Sequence, residues 1–386
     1  MNTGNANSTS SVRSIIFFFF ALGMTYAQLT SRMPALKANT GADDAFLGLA
    51  MLCLGIGSLC GFLFMALAGS LCTSRAILRH GSLVLFAALP LCALMPTPYF
   101  LCAACAVTGL GFALCDVAMN IQAVLYEKMA CKHCLAAIHA CYSIGGLAGS
   151  LCGSVFAAMG VGPLGNFAAV AAVLFLGSRL AHGHLLEDEL QNGSTAEKRR
   201  VPVAIYIFGF LSVCAFAVEG SCAEWSGLLL HEYKGASESV AALGFGAFSC
   251  TITACRLIAD RLRSRLGDFR LIVLSALTAI IGMALVLASP GPIPCLFGYC
   301  LTGMGIAPVF PLIISRAGSR SDIGAQRATS VISLCGYGGL LVIPPAIGCL
   351  AKWHGLPTAL LLPLALGFFL LLFSSLFRAA SPAGKN

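Results

Sequence analysis

Residues 108–120 read TGLGFALCDVAMN and place one ionisable side chain, Asp116, inside an otherwise apolar helix. A carboxylate at membrane depth costs about 2.5–3.5 kcal/mol on insertion scales, so it is seldom kept without a partner or a water-filled cavity. After a short basic loop, His139 and Ser143 reach a comparable depth on the next, antiparallel helix. Asn120 shares a helix face with Asp116. These four residues are expected to form a polar cluster, either a functional site or a hydrogen-bonded lock between two helices.

The composition around this stretch is that of a membrane protein. The chain has 386 residues, of which 58% are hydrophobic and 10% charged, with a mean hydropathy of +0.90. No water-soluble globular domain has such a composition. A membrane span needs about 20 mainly apolar residues, and twelve such segments predict an all-α membrane protein. They begin near Ser14, Phe46, His80, Tyr99, Ala137, Leu164, Pro202, Glu238, Leu271, Pro294, Arg327 and Pro357.

The net charge of +8 does not require a nucleic-acid partner. If the amino terminus is cytoplasmic, most Lys and Arg residues fall in cytoplasmic loops, as the positive-inside rule expects. We therefore expect a multi-pass protein with both termini in the cytoplasm and the lipid bilayer as its surroundings. Its first apolar segment is read as a retained helix, because it is long enough to span and lacks a small-residue cleavage site.

Most of the 19 cysteines lie in apolar segments, where Cys behaves as a small hydrophobe. Cys131 and Cys134, with His133 between them and His139 beyond, have the spacing of metal ligands, but no second pair completes a tetrahedral set. No Gly-rich loop ends in Lys and Ser or Thr, as a nucleotide site would. We expect no metal and no cofactor.

The chain contains an internal repeat. The halves correspond in three places at an offset of about 195 residues, which is typical of a transporter built from two six-helix bundles around a midplane cavity. A hydrophilic interval divides them and predicts a bundle at 1–182, a cytoplasmic linker at 183–201, and a second bundle with a short tail at 202–386. The corresponding stretches are Leu47–Gly48 and Leu243–Gly244, Thr108–Ala113 and Thr302–Ala307, and Gly145–Leu147 and Gly338–Leu340.

A charged motif, RLIADRLRSRLG at residues 256–267, follows the eighth predicted span. Arg256 and Asp260 are four positions apart, so they lie on one helical face and can pair. The motif resembles the cytoplasmic loop motif of the major facilitator superfamily, which implies a gating role for Arg256, Asp260 and Arg261; the alternative is a plain positive-inside loop. The equivalent loop of the first half has Arg75 but no acid, so a charge latch there is weakened or rebuilt with other partners.

Within that superfamily the chain resembles the branch of the L-fucose/proton symporter and a poorly characterised subgroup of bacterial inner-membrane facilitators. The resemblance implies the major facilitator fold, an inner-membrane location, and a role for Asp116 in solute and proton handling. One position departs from it: the sugar/proton symporters carry a second acid in the first span, where this chain has Thr30. The matching residues are Asp116, Ala118, Asn120, His139, Ser143 and Gly145.

The seventh span offers two further acids. Glu219 and Glu224 are five positions apart and point about 140° apart on a straight helix, so at most one faces a cavity. Glu219 lies deeper in the membrane than Glu224 and is the better candidate for a proton carrier. Trp225, next to Glu224, either stacks on a solute or sits at the membrane interface. In the first span, Gln28 is a further candidate, and Arg32 either pairs with a solute carboxylate or snorkels to the headgroups, the commoner case.

These observations favour a secondary transporter that moves a small polar solute, sugar-like or another metabolite, with protons carried by Asp116 and Glu219. Two alternatives remain open: proton-driven efflux of drugs or metabolites through the same acids, and a transporter-like sensor that binds a ligand without moving it. An enzyme is not expected, because no nucleophile and base form a catalytic constellation. The expected partners are a small solute and the proton, and the expected state is a monomer.

Overall fold

The structure is a computed structural model, and it describes residues 3–68, 72–130, 135–187, 201–318 and 325–378. These residues form helices and connecting turns, with no strand among them. Two short helices of other types are included, a π-helix at Leu229–Tyr233 and a 3-10 helix at Phe373–Phe377. The α-helices are Thr3–Ser31, Met33–Thr40, Asp44–Ala68, Ser74–Leu94, Pro98–Ala130, Leu135–Ala158, Pro163–His182, Val203–Leu228, Glu238–Ala241, Leu243–Ala288, Pro292–Ile306, Val309–Gly318, Ala325–His354, Leu356–Ala359 and Leu361–Leu372.

Twelve stretches of described helix are long and apolar enough to cross a membrane, which confirms the predicted number. The largest boundary difference is at span 9, which was expected near Leu271 and begins at Arg261, because one long helix continues through the charged motif and is broken only at Gly267, with φ 74°. Spans 1 to 12 are Ser10–Ser31, Asp44–Met65, Ser74–Leu94, Pro98–Glu127, Ile138–Ala158, Pro163–His182, Val203–Tyr233, Glu238–Ala259, Arg261–Ala288, Pro292–Ala317, Val331–His354 and Leu356–Phe377.

The chain forms two compact units. Unit 1 comprises Met1–Ala196 with Ser237–Gly246, and unit 2 comprises Glu197–Ala236 with Ala247–Asn386. The segment Ser237–Gly246 therefore packs with unit 1 although it belongs to the second half of the chain. Its hydrogen bond from Ser150 Oγ to the Ala242 carbonyl is one such contact.

Unit 1 is built on backbone contacts that only glycine permits. A Cβ atom added at Gly109 of span 4 would overlap the backbone oxygen of Leu54 in span 2. On another face of the same helix, a Cβ at Gly111 would lie 2.8 Å from the backbone nitrogen of Leu85 in span 3. Small residues at such positions let helices approach closely in lipid. The two glycines before Asp116 therefore fix span 4 against both of its neighbours.

Unit 2 repeats these two contacts with its own residues. A Cβ at Gly303 would lie 2.5 Å from the backbone oxygen of Phe248, and a Cβ at Gly305 would overlap the backbone nitrogen of Ala279. Each of the four residues follows its counterpart in unit 1 at the same offset in sequence. The repeat read from the glycines is thus also a repeat of helix packing, with spans 8, 9 and 10 in the places of spans 2, 3 and 4.

Spans 1 and 5 are joined in the same way. A Cβ at Gly145 would overlap the backbone oxygen of Phe20, and one at Gly149 would lie 2.6 Å from the backbone oxygen of Met24. Gly23 makes the reciprocal contact with the Tyr142 carbonyl. This packing sets the depth and rotation of span 5, which carries His139 and Ser143.

Candidate functional site

Asp116 and Asn120 contact each other on span 4. Asn120 Nδ2 donates to the Asp116 carboxylate, 3.3 Å from Oδ1, and to the Asp116 carbonyl at 2.8 Å. Within the described part of the chain, Asn120 is the hydrogen-bond partner of this carboxylate. Because both residues belong to one helix, the bond ties no second helix to span 4. The observed geometry therefore lends no support to a lock between spans 4 and 5.

The other two members of the predicted cluster lie on span 5. His139 is exposed and packs edge-on against Phe19, with ring centroids 4.9 Å apart. Ser143 is buried. The structure thus brings Asp116 and Asn120 together and places His139 beside an aromatic ring of span 1.

An aromatic cluster adjoins Asp116. Phe112 lies one helical turn before Asp116 on the same face of span 4. Its ring centroid is 5.9 Å from that of Tyr26 and 6.5 Å from that of Tyr142, and Tyr26 lies 6.0 Å from Phe245. Phe112 was not predicted as a site residue from the sequence, although its four-residue spacing from Asp116 was a usable signal. We call these four rings, Tyr26, Phe112, Tyr142 and Phe245, the first aromatic cluster.

Unit 2 has a second aromatic cluster, formed by Phe216, Phe310 and Tyr337. The Phe216 ring lies 4.8 Å from Phe310 and 5.8 Å from Tyr337, measured between centroids. Tyr337 follows Tyr142 at nearly the offset of the internal repeat, and the three rings come from spans 7, 10 and 11, which correspond to spans 1, 4 and 5. Each unit therefore has an aromatic cluster on its corresponding spans, although the individual rings do not occupy equivalent positions in the repeat.

Arg256 pairs with Glu219 across two spans of unit 2. Its Nη2 lies 3.4 Å from Glu219 Oε2, and both side chains are partly exposed. The sequence predicted Asp260 as the partner of Arg256; the side chain of Asp260 lies outside the described residues. Arg256 is inside span 8, and Arg261 is exposed at the start of span 9. The ion pair therefore places Arg256 beside the acid expected to carry a proton.

Glu224 and Trp225 belong to the interior of unit 2. Both are buried, with 2% of Trp225 exposed. The five-residue spacing predicted that at most one of Glu219 and Glu224 faces a cavity; in the structure Glu219 is partly exposed and Glu224 is buried, and which of them faces a cavity stays a prediction. Trp225 is packed among other side chains, whereas the sequence had suggested a ring at the membrane interface or stacked on a solute.

Arg32 does not snorkel to the headgroups as expected. It is 2% exposed and donates from Nη1 to the Gly153 carbonyl at 3.3 Å and from Nη2 to the Val161 carbonyl at 2.9 Å. Its Nη2 also lies 3.4 Å from Glu238 Oε2. Burial lowers the pKa of Arg32, and the Glu238 carboxylate opposes that shift. We call Arg32, Gly153, Val161 and Glu238 the arginine clamp.

The clamp predicts unequal effects of its two charged residues on stability. Arg32→Gln removes hydrogen bonds from buried carbonyls and should cost about 2–3 kcal/mol of unfolding free energy. Glu238→Gln should cost less than about 1 kcal/mol, because that side chain is 43% exposed. Melting of the two purified variants measures the difference. Equal losses would show that the ion pair, rather than the two carbonyl bonds, holds Arg32.

Gln28 adds a second bond between spans 1 and 5. It is fully buried and donates from Nε2 to the Gly149 carbonyl at 2.7 Å. This bond helps to position the glycine-packed helix pair, and the predicted role of Gln28 in solute or proton binding stays a prediction.

The possible metal ligands Cys131, His133 and Cys134 lie outside the described residues. Across the ranges that the structure describes, no group of three or more His, Cys, Asp or Glu residues could hold a metal ion. His139, the fourth residue of that pattern, packs against Phe19.

Comparisons with known proteins agree with this architecture. The sequence model of the Major Facilitator Superfamily matches residues 14–324. An uncharacterised MFS-type transporter of Yersinia pestis is 32% identical over 350 residues, covering 88% of this chain and 89% of that protein. The membrane protein MosC of Rhizobium meliloti is 32% identical over 380 residues, covering 94% of this chain and 89% of that protein.

Solved structures share the fold at low sequence identity. The nucleoside transporter NupG superposes with a TM-score of 0.73 at 14% identity, covering 98% of this chain and all of that one. A D-xylose-proton symporter superposes with a TM-score of 0.69 at 14% identity, covering 96% and 98% of the two chains. The predicted all-α fold with twelve spans is confirmed.

Proposed function

Because the chain belongs to the major facilitator superfamily of membrane transporters, we propose that it moves a small polar solute by alternating access, driven by a proton gradient. The observation that carries this proposal is the Asp116 carboxylate inside span 4, bonded to Asn120 and adjoining the first aromatic cluster. Such a site combines an ionisable group with ring faces, which suits a solute that has both hydroxyl groups and an apolar face.

Asp116 has the chemistry of a coupling group. A carboxylate in a closed, dry cavity is favoured in its protonated form, and contact with water lets it ionise. Asn120 donates to one carboxylate oxygen and so fixes the rotamer of Asp116. Loading a proton and a solute together would remove the charge that opposes closure. Release of both on the other side would restore it.

Glu219 and Arg256 form the second element of the proposed mechanism. Their pair is neutral as a whole, and protonation of Glu219 removes the attraction that holds Arg256. A proton or a solute hydroxyl at Glu219 therefore changes the packing of span 7 against span 8. This gives Arg256 a proposed gating role beside Glu219 inside span 8, instead of at the end of a loop.

The ion pair can be tested by a double-mutant cycle. Glu219→Gln and Arg256→Gln each leave one charge inside the spans, whereas the double variant leaves none. We expect a coupling energy of about 0.5–1 kcal/mol in melting experiments, since both side chains are partly exposed. Transport should fall in all three variants, with turnover reduced more than solute binding. Additive losses of stability, or wild-type turnover, would contradict the pair.

We further infer a close relation to the L-fucose/proton symporter branch, from Asp116, Ala118 and Asn120 of span 4. The same proposal includes a bacterial inner-membrane location, cytoplasmic termini, a monomeric state, and the bundle boundaries 1–182, 183–201 and 202–386. The distribution of Lys and Arg supports the orientation. Digestion of an amino-terminal tag by protease added outside intact spheroplasts would contradict it.

Transport in proteoliposomes tests the proposed function. Sugars, carboxylates, amino acids and nucleosides are first screened by thermal shift of the purified protein, and labelled hits are then offered to proteoliposomes under an imposed proton gradient. Concentrative uptake that a protonophore abolishes supports proton-coupled import. Extrusion of a preloaded solute would instead support efflux, and binding without movement would support a sensor. Uptake driven by a sodium gradient alone would contradict the proton as coupling ion.

A further inference from the structure

A basic cavity lies at the end of unit 1 that the proposed orientation makes cytoplasmic. It forms where span 3 begins and span 6 ends, and its volume is about 320 Å³. Its lining residues belong to the start of span 3 and the end of span 6, whereas Asp116 belongs to span 4. Its lining residues are Thr73, Arg75, Ala76, Arg79, His80 and His182.

The walls of the basic cavity are held together by hydrogen bonds, one of them buried and the others partly buried. Gln122 is fully buried, and its Nε2 donates to Ser74 Oγ at 2.7 Å and to the Leu186 carbonyl at 2.8 Å. Its Oε1 accepts from the Leu186 backbone N–H at 2.8 Å. His182 Nε2 lies 3.2 Å from the Arg75 carbonyl. The beginning of span 3 and the end of span 6 therefore form a preorganised site.

The charge of the cavity is positive. Arg75 and Arg79 lie one turn apart on the same face of span 3. Span 3 starts at the cavity, where the Thr73 side chain accepts a hydrogen bond from the Ala76 N–H. The positive end of the helix dipole therefore adds to the positive charge of the cavity. No acidic residue is among the lining residues that the structure describes.

Glu187 forms an ion pair with Arg75. It lies 3.4 Å from Arg75 Nη1 and is 91% exposed, so it contributes little binding energy. The loop that has no acid of its own in the sequence therefore has a described acid, Glu187, beside Arg75. An exposed carboxylate at this distance is readily displaced by a stronger anion.

We propose that the basic cavity binds a phosphate group. Arginine binds phosphate through paired, charge-assisted hydrogen bonds, and a helix amino terminus favours the same anion. The cavity volume is at the lower end of the range of small-molecule sites and suits a phosphate with a glycerol-sized substituent. The phosphate of an anionic lipid headgroup and free inorganic phosphate share this chemistry. Basic residues at the ends of spans attract anionic headgroups at the membrane surface.

The test compares two double variants of the full chain in detergent. Arg75→Gln/Arg79→Gln removes both cavity arginines, and Arg265→Gln/Arg270→Gln removes two exposed charges of the span 9 region, outside the cavity. Each protein is titrated with phosphatidylglycerol, phosphatidylcholine or sodium phosphate, and binding is followed by native mass spectrometry and melting. We expect binding of phosphatidylglycerol or phosphate to weaken at least about tenfold in the first variant only, an effect of about 1.4 kcal/mol.

The ligands distinguish the two sources of the phosphate. Binding of phosphatidylglycerol but not of sodium phosphate to the cavity assigns the site to a lipid headgroup, and binding of sodium phosphate that competes with the lipid assigns it to the phosphate group itself. Equal loss in both double variants would overturn the proposal, because it would show diffuse attraction. Unchanged binding in the cavity variant would also overturn it. If that variant fails to fold, Arg79→Gln, which leaves the Arg75–Glu187 pair in place, is titrated in the same way.

Discussion

Asp116→Asn should reduce gradient-driven accumulation to the level of simple equilibration while leaving part of solute binding and solute exchange intact. Asn preserves the shape and much of the hydrogen bonding of a protonated carboxyl group but cannot ionise. Exchange across the membrane needs no net proton movement, so it does not depend on the lost titration. The measurement is accumulation, exchange and melting temperature on one preparation in proteoliposomes.

Three outcomes separate the roles of Asp116. Retained accumulation would rule out proton coupling, and parallel loss of binding and exchange would reduce Asp116 to a solute contact. A fall in stability of about 1 kcal/mol with intact accumulation would support the alternative that Asp116 only forms a hydrogen-bonded lock between spans 4 and 5. Asp44→Asn is the matched control, because it makes the same acid-to-amide change at a carboxylate paired with Lys37 at the start of span 2. It should leave accumulation unchanged.

Gly109→Ala and Gly303→Ala should each destabilise the protein by about 3 kcal/mol or more. Overpacking of this kind usually costs about 1–3 kcal/mol. Here the added methyl group meets a backbone oxygen, which cannot move aside by a side-chain rotation. The two substitutions affect equivalent contacts, so their effects should be similar. Melting in detergent and the yield of monodisperse protein provide the measurement.

Gly338→Ala is the control for these substitutions. An added Cβ there meets nothing within 4 Å, and alanine favours the helix over glycine by about 1 kcal/mol. It should be neutral or slightly stabilising. Wild-type melting of Gly109→Ala would show that spans 2 and 4 lie farther apart than described. A large loss in Gly338→Ala would contradict the open space beside span 11.

The helical periodicity of the sequence was sufficient to predict the fold and the contacts between residues of one helix. Twelve apolar segments, the internal repeat and the shared face of Asp116 and Asn120 all follow from composition and the rise of a helix. The packing role of the glycines was not predicted, because the sequence marked them only as corresponding positions of the two halves.

Contacts between helices were beyond such reasoning. Pairing of Arg256 with Glu219 depends on the rotation and depth of spans 7 and 8, whereas a spacing rule compares only residues of one helix and so favoured Asp260. Arg32 was misjudged for a related reason. Its carbonyl partners are backbone groups at the end of span 5 and just beyond it, and no side-chain pattern marks them. The basic cavity likewise joins residues far apart in the chain.

The glycine contacts of unit 1 also limit the kinds of motion available to it. Span 4 is in backbone contact with spans 2 and 3. Sliding of these helices along each other is sterically opposed, because backbone atoms that now face a glycine would collide with the side chain next to it. Shear inside this three-helix block is therefore disfavoured, so a conformational change of unit 1 is expected to move the three helices together as one rigid body.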